Sequence, residues 1–577
     1  MSAQRLDPDA QDEDVSVADA VVIGAGPNGL VAANLLADAG WDTVVLEAND
    51  EPGGAVRTAE ITAPGFRNDL FSAFYPMTAA SAVMRSLRLE DEGLRWSHAP
   101  TVLAHLRANG PPAILHRDIE RTAASLVRDS LGDGARYRRI VERWMRLSDP
   151  LMEALLSPFP PVRASLRLLA AARSDGARDL ARLAVMPLRR FVEEEFRGSA
   201  GRLLFAGNAL HADVTPESTG SAVFGWLLVC LGQQYGFPVP VGGAGQITAA
   251  LVARAARRGV HIECGARVDE VVVREGRAVG VVTADSRSVS ARRAVLADCD
   301  VARLLIGMVG ESHLPADVVR RLHRVQRGFG TFKVDWAVDG RVPWADAGVA
   351  EAGTVHIADS LDELTMTSAQ LSMGRVPSDP FLLVGQMTTA DPTRSPAGTE
   401  TLWAYTRVPQ AVVADAGGEG VGPTWSESDC ERFADRMQAR IERLAPGFGS
   451  LVTARHIMSP IDLERADANL VGGDLNGGTA QPHQQLVFRP VPGLARAETA
   501  IRGLYLASAS AHPGGAVHGA CGANAARAAI LHDRLRHPIV HIAKTRAAAK
   551  RAPASSPSPS TVASSSSGSM RRATRRQ

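Results

Sequence analysis

Residues 19–54 read DAVVIGAGPNGLVAANLLADAGWDTVVLEANDEPGG, and their order decides how the chain begins to fold. The apolar run Ala20-Val21-Val22-Ile23 predicts a buried parallel strand that runs directly into Gly24-Ala25-Gly26-Pro27-Asn28-Gly29. Residues 30–39 are apolar at helical spacing and stop at Gly40, and a second strand over residues 43–46 ends on Glu47. In such a unit Gly24 permits the tight turn out of the strand, Gly26 lets backbone approach a pyrophosphate, and Gly29 lets the helix pack on the sheet. The helix start, with Pro27 and Asn28, then turns its free N–H groups and the positive end of its dipole toward two phosphates. Glu47 stands where an acid accepts hydrogen bonds from a ribose, and it would repel a phosphorylated one.

Working outward, 577 residues are too many for one small core, and two or three structural units are expected. A net charge of +1 gives no electrostatic case for a nucleic-acid partner. Lysine occurs only at Lys333, Lys544 and Lys550, so the basic content is almost all arginine. The five cysteines, Cys230, Cys264, Cys299, Cys430 and Cys521, form no CxxC pair, which argues against a disulfide framework and a dithiol redox centre. No His/Cys/Asp/Glu cluster has metal-ligand spacing. Neither a charged-then-apolar leader nor an apolar run of about 18 residues is present, so the expected location is cytoplasmic, with contact with a membrane face left open.

Residues 1–17 are acidic and polar and residues 551–577 are rich in Ser, Pro and Arg, so both ends are expected to lack structure. Residues 120–196 turn to long Arg-, Leu- and Ala-rich helices, which suit either an exposed domain face or an anionic membrane surface. A second organised block opens at Val239-Pro240-Val241-Gly242-Gly243-Ala244-Gly245, followed by a helix to about Arg258 and by Val-rich strands with Gly turns. Strand candidates TFKVDWAV and FLLVGQMTT and a helix over residues 427–444 mark a mixed region. The last organised block, GLYLASASAHPGGAVHGACGANAA over residues 503–526, reads as strand, glycine-rich turn and a helix from near Gly519, again with free N–H groups at its start.

Pro52-Gly53-Gly54 after the acid resembles the flavin-binding motif of the glutathione reductase and amine oxidase superfamily, which implies FAD. The blocks at 24–54, 240–273 and 504–526 together resemble the bacterial phytoene desaturase (carotenoid desaturase) family, closest to its pyridine nucleotide-disulfide oxidoreductase domain-containing branch. The similarity extends to GGAVRTAEITAPGFRNDLFSAFYP and MSPIDLERADANLVGGDLNGG. It implies an α/β, two-domain FAD-binding Rossmann fold of the glutathione reductase/amine oxidase type with an inserted α+β substrate domain. Residues 18–100, 238–310 and 491–545 would form the FAD domain, and residues 101–237 and 311–490 the substrate domain. The implied activity is FAD-dependent dehydrogenation or desaturation: hydride passes from a C–H bond of an apolar, isoprenoid or lipid-like substrate to flavin N5, and electrons leave to oxygen, a quinone or another carrier.

The resemblance assigns FAD contacts to Gly24, Gly26, Pro27, Asn28, Gly29, Glu47, Ala48, Gly53, Gly54, Ala55, Arg57, Val268, Ser508, Gly519 and Ala520. Ala55 stands where many relatives carry the pyrophosphate arginine, leaving Arg57 as the nearest candidate, and Ser508 stands where an acid often holds the ribityl chain. Cys521 is either a small buried residue or a thiol placed for a covalent flavin link. His512, His518 and Lys333 are the catalytic candidates, weighed against turn histidines held by backbone and an ion-paired lysine. Two other readings remain: a redox-neutral flavin-dependent isomerase, and a non-catalytic prenyl-binding protein of the GDP-dissociation-inhibitor type, against which the intact Gly24, Gly26, Gly29 and Glu47 argue.

Overall fold

The leading apolar run is strand β1 (Ser16–Ile23), followed by helix α1 (Pro27–Asp38) and strand β2 (Thr43–Leu46). The computed structural model describes residues 16–536, and the expectations for the acidic lead before Ser16 and the tail at 551–577 lie outside them. β1 begins at Ser16, inside the stretch expected to lack structure, because Ser16 and Val17 pair with Val289 and Ser290. The chain forms one compact unit up to Ile530 and a second from Leu531, of which the described part is the end of the helix Ala520–Arg536.

Long-range pairing completes the first sheet. β1 lies parallel to β2 on one side and to the strand Ser288–Ala297 on the other; His261–Glu263 extends it beyond β2, and Leu504–Leu506 beyond Ala297. The register brings Ile23, Leu46, Glu263, Ala297 and Leu506 to one line, so five parallel strands end together. The first half of Ser288–Ala297 pairs antiparallel with the hairpin Val268–Arg274 and Arg277–Thr283. The crevice beyond a shared carboxyl edge is where parallel α/β sheets bind ligands.

The second sheet has the order Val452–Met458, Gly330–Val338, Glu400–Val408, Leu382–Gln386, Ala352–Ile357, Thr101–Leu106, Ala113–Leu115. All its neighbours are antiparallel except Ala352–Ile357 with Thr101–Leu106. Strand Gly330–Val338 is buried throughout, and its alternation sorts two kinds of face. Phe332, Val334 and Trp336 pack with Phe433, Met437 and Ile441 of the helix Glu427–Leu444, which starts on a Ser426/Asp429 capping box. Lys333 and Asp335 point the other way. The stretch read as FLLVGQMTT is strand only to Gln386; Met387–Ala390 turn helical because Glu400 draws in the N–H groups of Thr388 and Thr389.

Helices Ile119–Val127, Asp133–Leu156, Val162–Val185, Leu188–Glu195, Ser199–Ala209 and Ser221–Tyr235 form the helical part, with Tyr137, Trp144, Phe205 and Trp226 in its core. Val162–Val185 is kinked at Arg173, whose φ is 57°. Among the described residues no helix is long and apolar enough to cross a membrane.

Candidate active site

The crevice at the carboxyl edge is built from helix starts and tight backbone contacts. α1 begins at Pro27 with no side-chain cap from Gly26. The start of the closing helix Ala520–Arg536 lies against it so closely that a Cβ on Gly522 would stand 1.9 Å from the Asn28 carbonyl oxygen. Gly29 is equally constrained: its Cβ would lie 2.1 Å from the Gly24 oxygen. Two positive helix ends therefore meet at one place. The Gly53-Gly54-Ala55 turn docks there too, with Gly53 N–H donating to Ala25 O at 2.9 Å. Arg57 donates to Gly54 O and Ala466 O at 3.0 and 2.7 Å and lies over the Phe71 ring.

Carboxylates surround these helix ends. Glu47 accepts from Ala25 N at 2.7 Å and from both nitrogens of Asn49 at 2.9 Å, so its oxygens hold the glycine loop. Ala48, beside it, is exposed at the rim. Ala266 N–H donates to Glu47 O at 2.8 Å, which brings the buried Val268 strand to the same side. Asp298, one residue beyond the strand Ser288–Ala297, was not among the residues singled out from sequence. Its Oδ2 accepts from Gly29 N at 2.7 Å. Burial raises its pKa, Asp467 and Glu47 add to the rise, and the Gly29 and Asn28 N–H groups oppose it, leaving it pushed up to about 7. Asp467 is raised for the same first reason and is opposed by the Asn469 N–H and Arg57. The loop carrying it is tied down by Asn469, which donates to Asp298 O and accepts from Asp300 N.

On the far side of the crevice, Ser508 is buried and accepts from Ser510 N at 3.3 Å. Gly519 and Ala520 open the closing helix, and Ala520 N–H donates to His518 Nδ1 at 3.1 Å. Burial holds His518 down at about 4, a neutral ring fixed by backbone. His512 Nε2 pairs with Ser157 O at 3.1 Å, and its Nδ1 is buried without a protein partner. Cys521 is fully buried between the carbonyls of Ala511 and Gly514, and burial pushes its thiol up to about 12.

Lys333 stands in the second sheet, ion-paired with Asp335; both side chains are almost fully buried. Burial raises the Asp335 pKa against the pull of Lys333. Asn68, in the stretch following Arg57, donates to Asp335 Oδ1 at 3.5 Å, which links the pair to the glycine-rich side. In register, Lys333 faces Tyr405 and Asp335 faces Trp403, whose rings stack at 5.8 Å, with Phe74 packed on Trp403. Of this row sequence reasoning singled out only Lys333, since Tyr405 and Trp403 lie on another strand and carry no local motif.

The residues present fit FAD. Two helix ends meet here, Arg57 stands beside the Gly53-Gly54 turn, and Asn28 Oδ1 and Asn524 Oδ1 are buried without protein partners. Asp298 is compatible with a neighbouring pyrophosphate because its acid form is populated near neutral pH. Residues 28–402 match the family of flavin containing amine oxidoreductases. The chain is 29% identical over 551 residues to pyridine nucleotide-disulfide oxidoreductase domain-containing protein 2 of Mus musculus, covering 88% of this chain and 92% of that one. It is 25% identical over 528 residues to the lycopene-forming phytoene desaturase of Pseudescherichia vulneris, covering 89% and 99%. A putrescine oxidase solved with putrescine shares the fold, with a TM-score of 0.57 at 16% identity over 90% of this chain and 99% of that one.

Proposed function

Because the chain belongs to the flavin containing amine oxidoreductase family and is an FAD-dependent oxidoreductase, we propose that it dehydrogenates an apolar, isoprenoid or lipid-like substrate. The observation that carries this reading is the helix Ser221–Tyr235. It has no charged residue in fifteen, yet Val223, Phe224, Leu227 and Leu228 on one face are only half-buried. Phe74, Met77 and Tyr405 pack on the same apolar cluster and are likewise half-buried. An apolar face of this kind suits an oily ligand, since each apolar ångström squared removed from water contributes roughly 25 cal/mol.

Gly24, Gly26, Pro27, Asn28 and Gly29 would hold the pyrophosphate, Glu47 and Ala48 the ribose, and Val268 the adenine side. Gly53, Gly54 and Ala55 would lie along the flavin, with Arg57 the nearest candidate for the pyrophosphate, Ser508 on the ribityl chain and Gly519 and Ala520 at the pyrimidine edge. The bound flavin supplies a two-electron acceptor at N5. The protein contributes orientation and exclusion of water, the terms that matter when a C–H bond is broken. An external acceptor, oxygen, a quinone or another carrier, would complete the cycle.

The test is anaerobic mixing of the yellow holoprotein with phytoene in phosphatidylcholine vesicles and, separately, with putrescine. The expected result is bleaching of the flavin band by the isoprenoid alone and a product lighter by two hydrogens. Bleaching by the amine alone sinks the apolar reading, and a rearranged product of unchanged mass makes the enzyme an isomerase.

A further inference from the structure

Two stretches far apart in sequence present apolar side chains to solvent, and both are fastened to the same turn. On the helix Val162–Val185, Val162, Leu166 and Leu169 follow one another at helical spacing and are 54–63% exposed. In the loop before the closing strand, Leu486, Val487 and Phe488 form one tight helical turn in which none of the three is buried.

The shared anchor is the segment from Ala509 to Asn524, where the crevice closes. Ser157 O pairs with His512 Nε2, the His512 ring meets that of Phe159 edge on at 6.2 Å, and Asn524 Nδ2 donates to Leu156 O at 3.3 Å. From the other stretch, the buried Arg489 donates to Ala509 O at 2.7 Å, to Thr479 O at 3.3 Å and to Asn476 O. The helix Ser221–Tyr235, with its half-buried apolar face, begins between the two: a Cβ on Gly220 would stand 3.0 Å from Ala184 O and 3.3 Å from Pro482 Cγ.

The loop is held in place, not left loose. Gln485 Nε2 donates to Thr479 O at 2.5 Å, and Leu486 takes a φ of 53°, a left-handed conformation that costs a leucine free energy. Burial of its side chain does not offset that cost. A strained, anchored turn that holds three apolar side chains in water points to a surface outside the protein.

Charge says which surface. Over residues 145–173 the charged side chains are Arg146, Asp149, Glu153, Arg163, Arg167 and Arg173, all exposed, four cations against two carboxylates. Glu153 is taken up by Arg167, and among the described residues no ion pair engages Arg146, Arg163 or Arg173. Between Asp474 and Glu498 the chain has no carboxylate. A second copy of this face would bring like charges together. Lipid phosphates would answer them, and the apolar side chains would enter the acyl boundary below the arginine heads.

We propose that Val162, Leu166 and Leu169, together with Leu486, Val487 and Phe488, form a docking face for an anionic lipid bilayer, with Arg163 and Arg173 on its phosphates. This deepens the reading of the site as one for an oily substrate and rests on it, since such a ligand would pass from the bilayer into the protein without crossing water.

The test is co-sedimentation of the FAD-loaded full chain with substrate-free vesicles of phosphatidylcholine, with and without phosphatidylglycerol. The protein should sediment with the anionic vesicles. Arg163→Ala and Arg173→Ala should each weaken that binding about fivefold. Leu166→Asp and Phe488→Asp should each weaken it about tenfold with FAD content and melting temperature unchanged. Val413→Asp, at an exposed valine elsewhere, should change nothing. Leu166→Trp and Val487→Trp keep the face apolar, and their added emission should shift to the blue on anionic vesicles and be quenched by brominated lipid. Wild type left in the supernatant overturns the docking face. So does sedimentation that every variant of the face retains, which places the contact elsewhere, residues 551–577 included. Self-association without vesicles that Leu166→Asp and Phe488→Asp abolish makes the face an interface between copies instead. These outcomes leave the dehydrogenase reading to the bleaching experiment, and a failure of bleaching with vesicle binding intact sinks that reading and spares the docking face.

Discussion

The two large sheets use opposite designs to place polar groups. The first keeps its polar groups at its edge: five strands end in line, and backbone N–H groups, two helix ends and the carboxylates of Glu47, Asp298 and Asp467 gather there. The second carries its polar groups inside, with Lys333 and Asp335 side by side in a strand whose nine residues are all buried. Backbone amides at an edge are satisfied by a ligand or water, whereas a buried ion pair depends on protein partners, here each other and Asn68, and must be complete to be tolerated. Damage should therefore show differently in the two sheets, as lost cofactor in one and lost stability in the other.

The largest expected effect is at the edge. Gly29→Val places a side chain where even a Cβ would meet the Gly24 oxygen at 2.1 Å, and the purified protein should be colourless, with FAD absorbance below about a tenth of wild type. Full retention of FAD would mean that the loop does not bind the cofactor.

Inside the second sheet, Lys333→Met strands the Asp335 carboxylate and should cost about 3–5 kcal/mol in urea unfolding. Lys333→Met with Asp335→Leu should recover most of that loss. A double variant no more stable than the single would show that the pair is not the source of the loss.

Asp298 sharpens the contrast through pH. Its folded pKa, about 7, is raised above the ordinary carboxylate value of 3.8, so the stability it contributes is complete below about 4 and is lost as pH rises through 7. FAD phosphates disfavour its charged form further, so the cofactor should bind with proton uptake. In fluorescence titrations of apoprotein, the Kd should rise by up to about tenfold per pH unit above 7. Asp298→Asn should bind FAD with a flat profile, and a variant as pH-dependent as wild type would exclude Asp298 as the source.

The smallest effect is expected away from both sheets. Arg182 and Glu194 form an ion pair open to solvent, and replacing both with Ala should leave the melting temperature unchanged.

How much was legible depended on sequence distance. The unit from β1 to Glu47, the closing strand and helix, and the helix Glu427–Leu444 could be read because each declares itself within about twenty residues through periodicity, caps or glycine spacing. Strand Leu382–Gln386 was read too long, since what ends it is Glu400, a side chain from the next strand. Asp298 went unnoticed for a similar reason: it reaches Gly29 across 269 residues.

By itself the amino-acid order determined a nucleotide cradle and the kind of sheet that bears it, because glycine spacing and apolar runs act on neighbouring residues. Only the tertiary structure decided that Asp298 sits at the first helix, that Lys333 is ion-paired with Asp335, and that Tyr405, His211 and His356 touch. Those contacts are set by strand register and by which helix lies on which face. Register depends on the sum of packing over whole layers, so no short stretch of the chain records it.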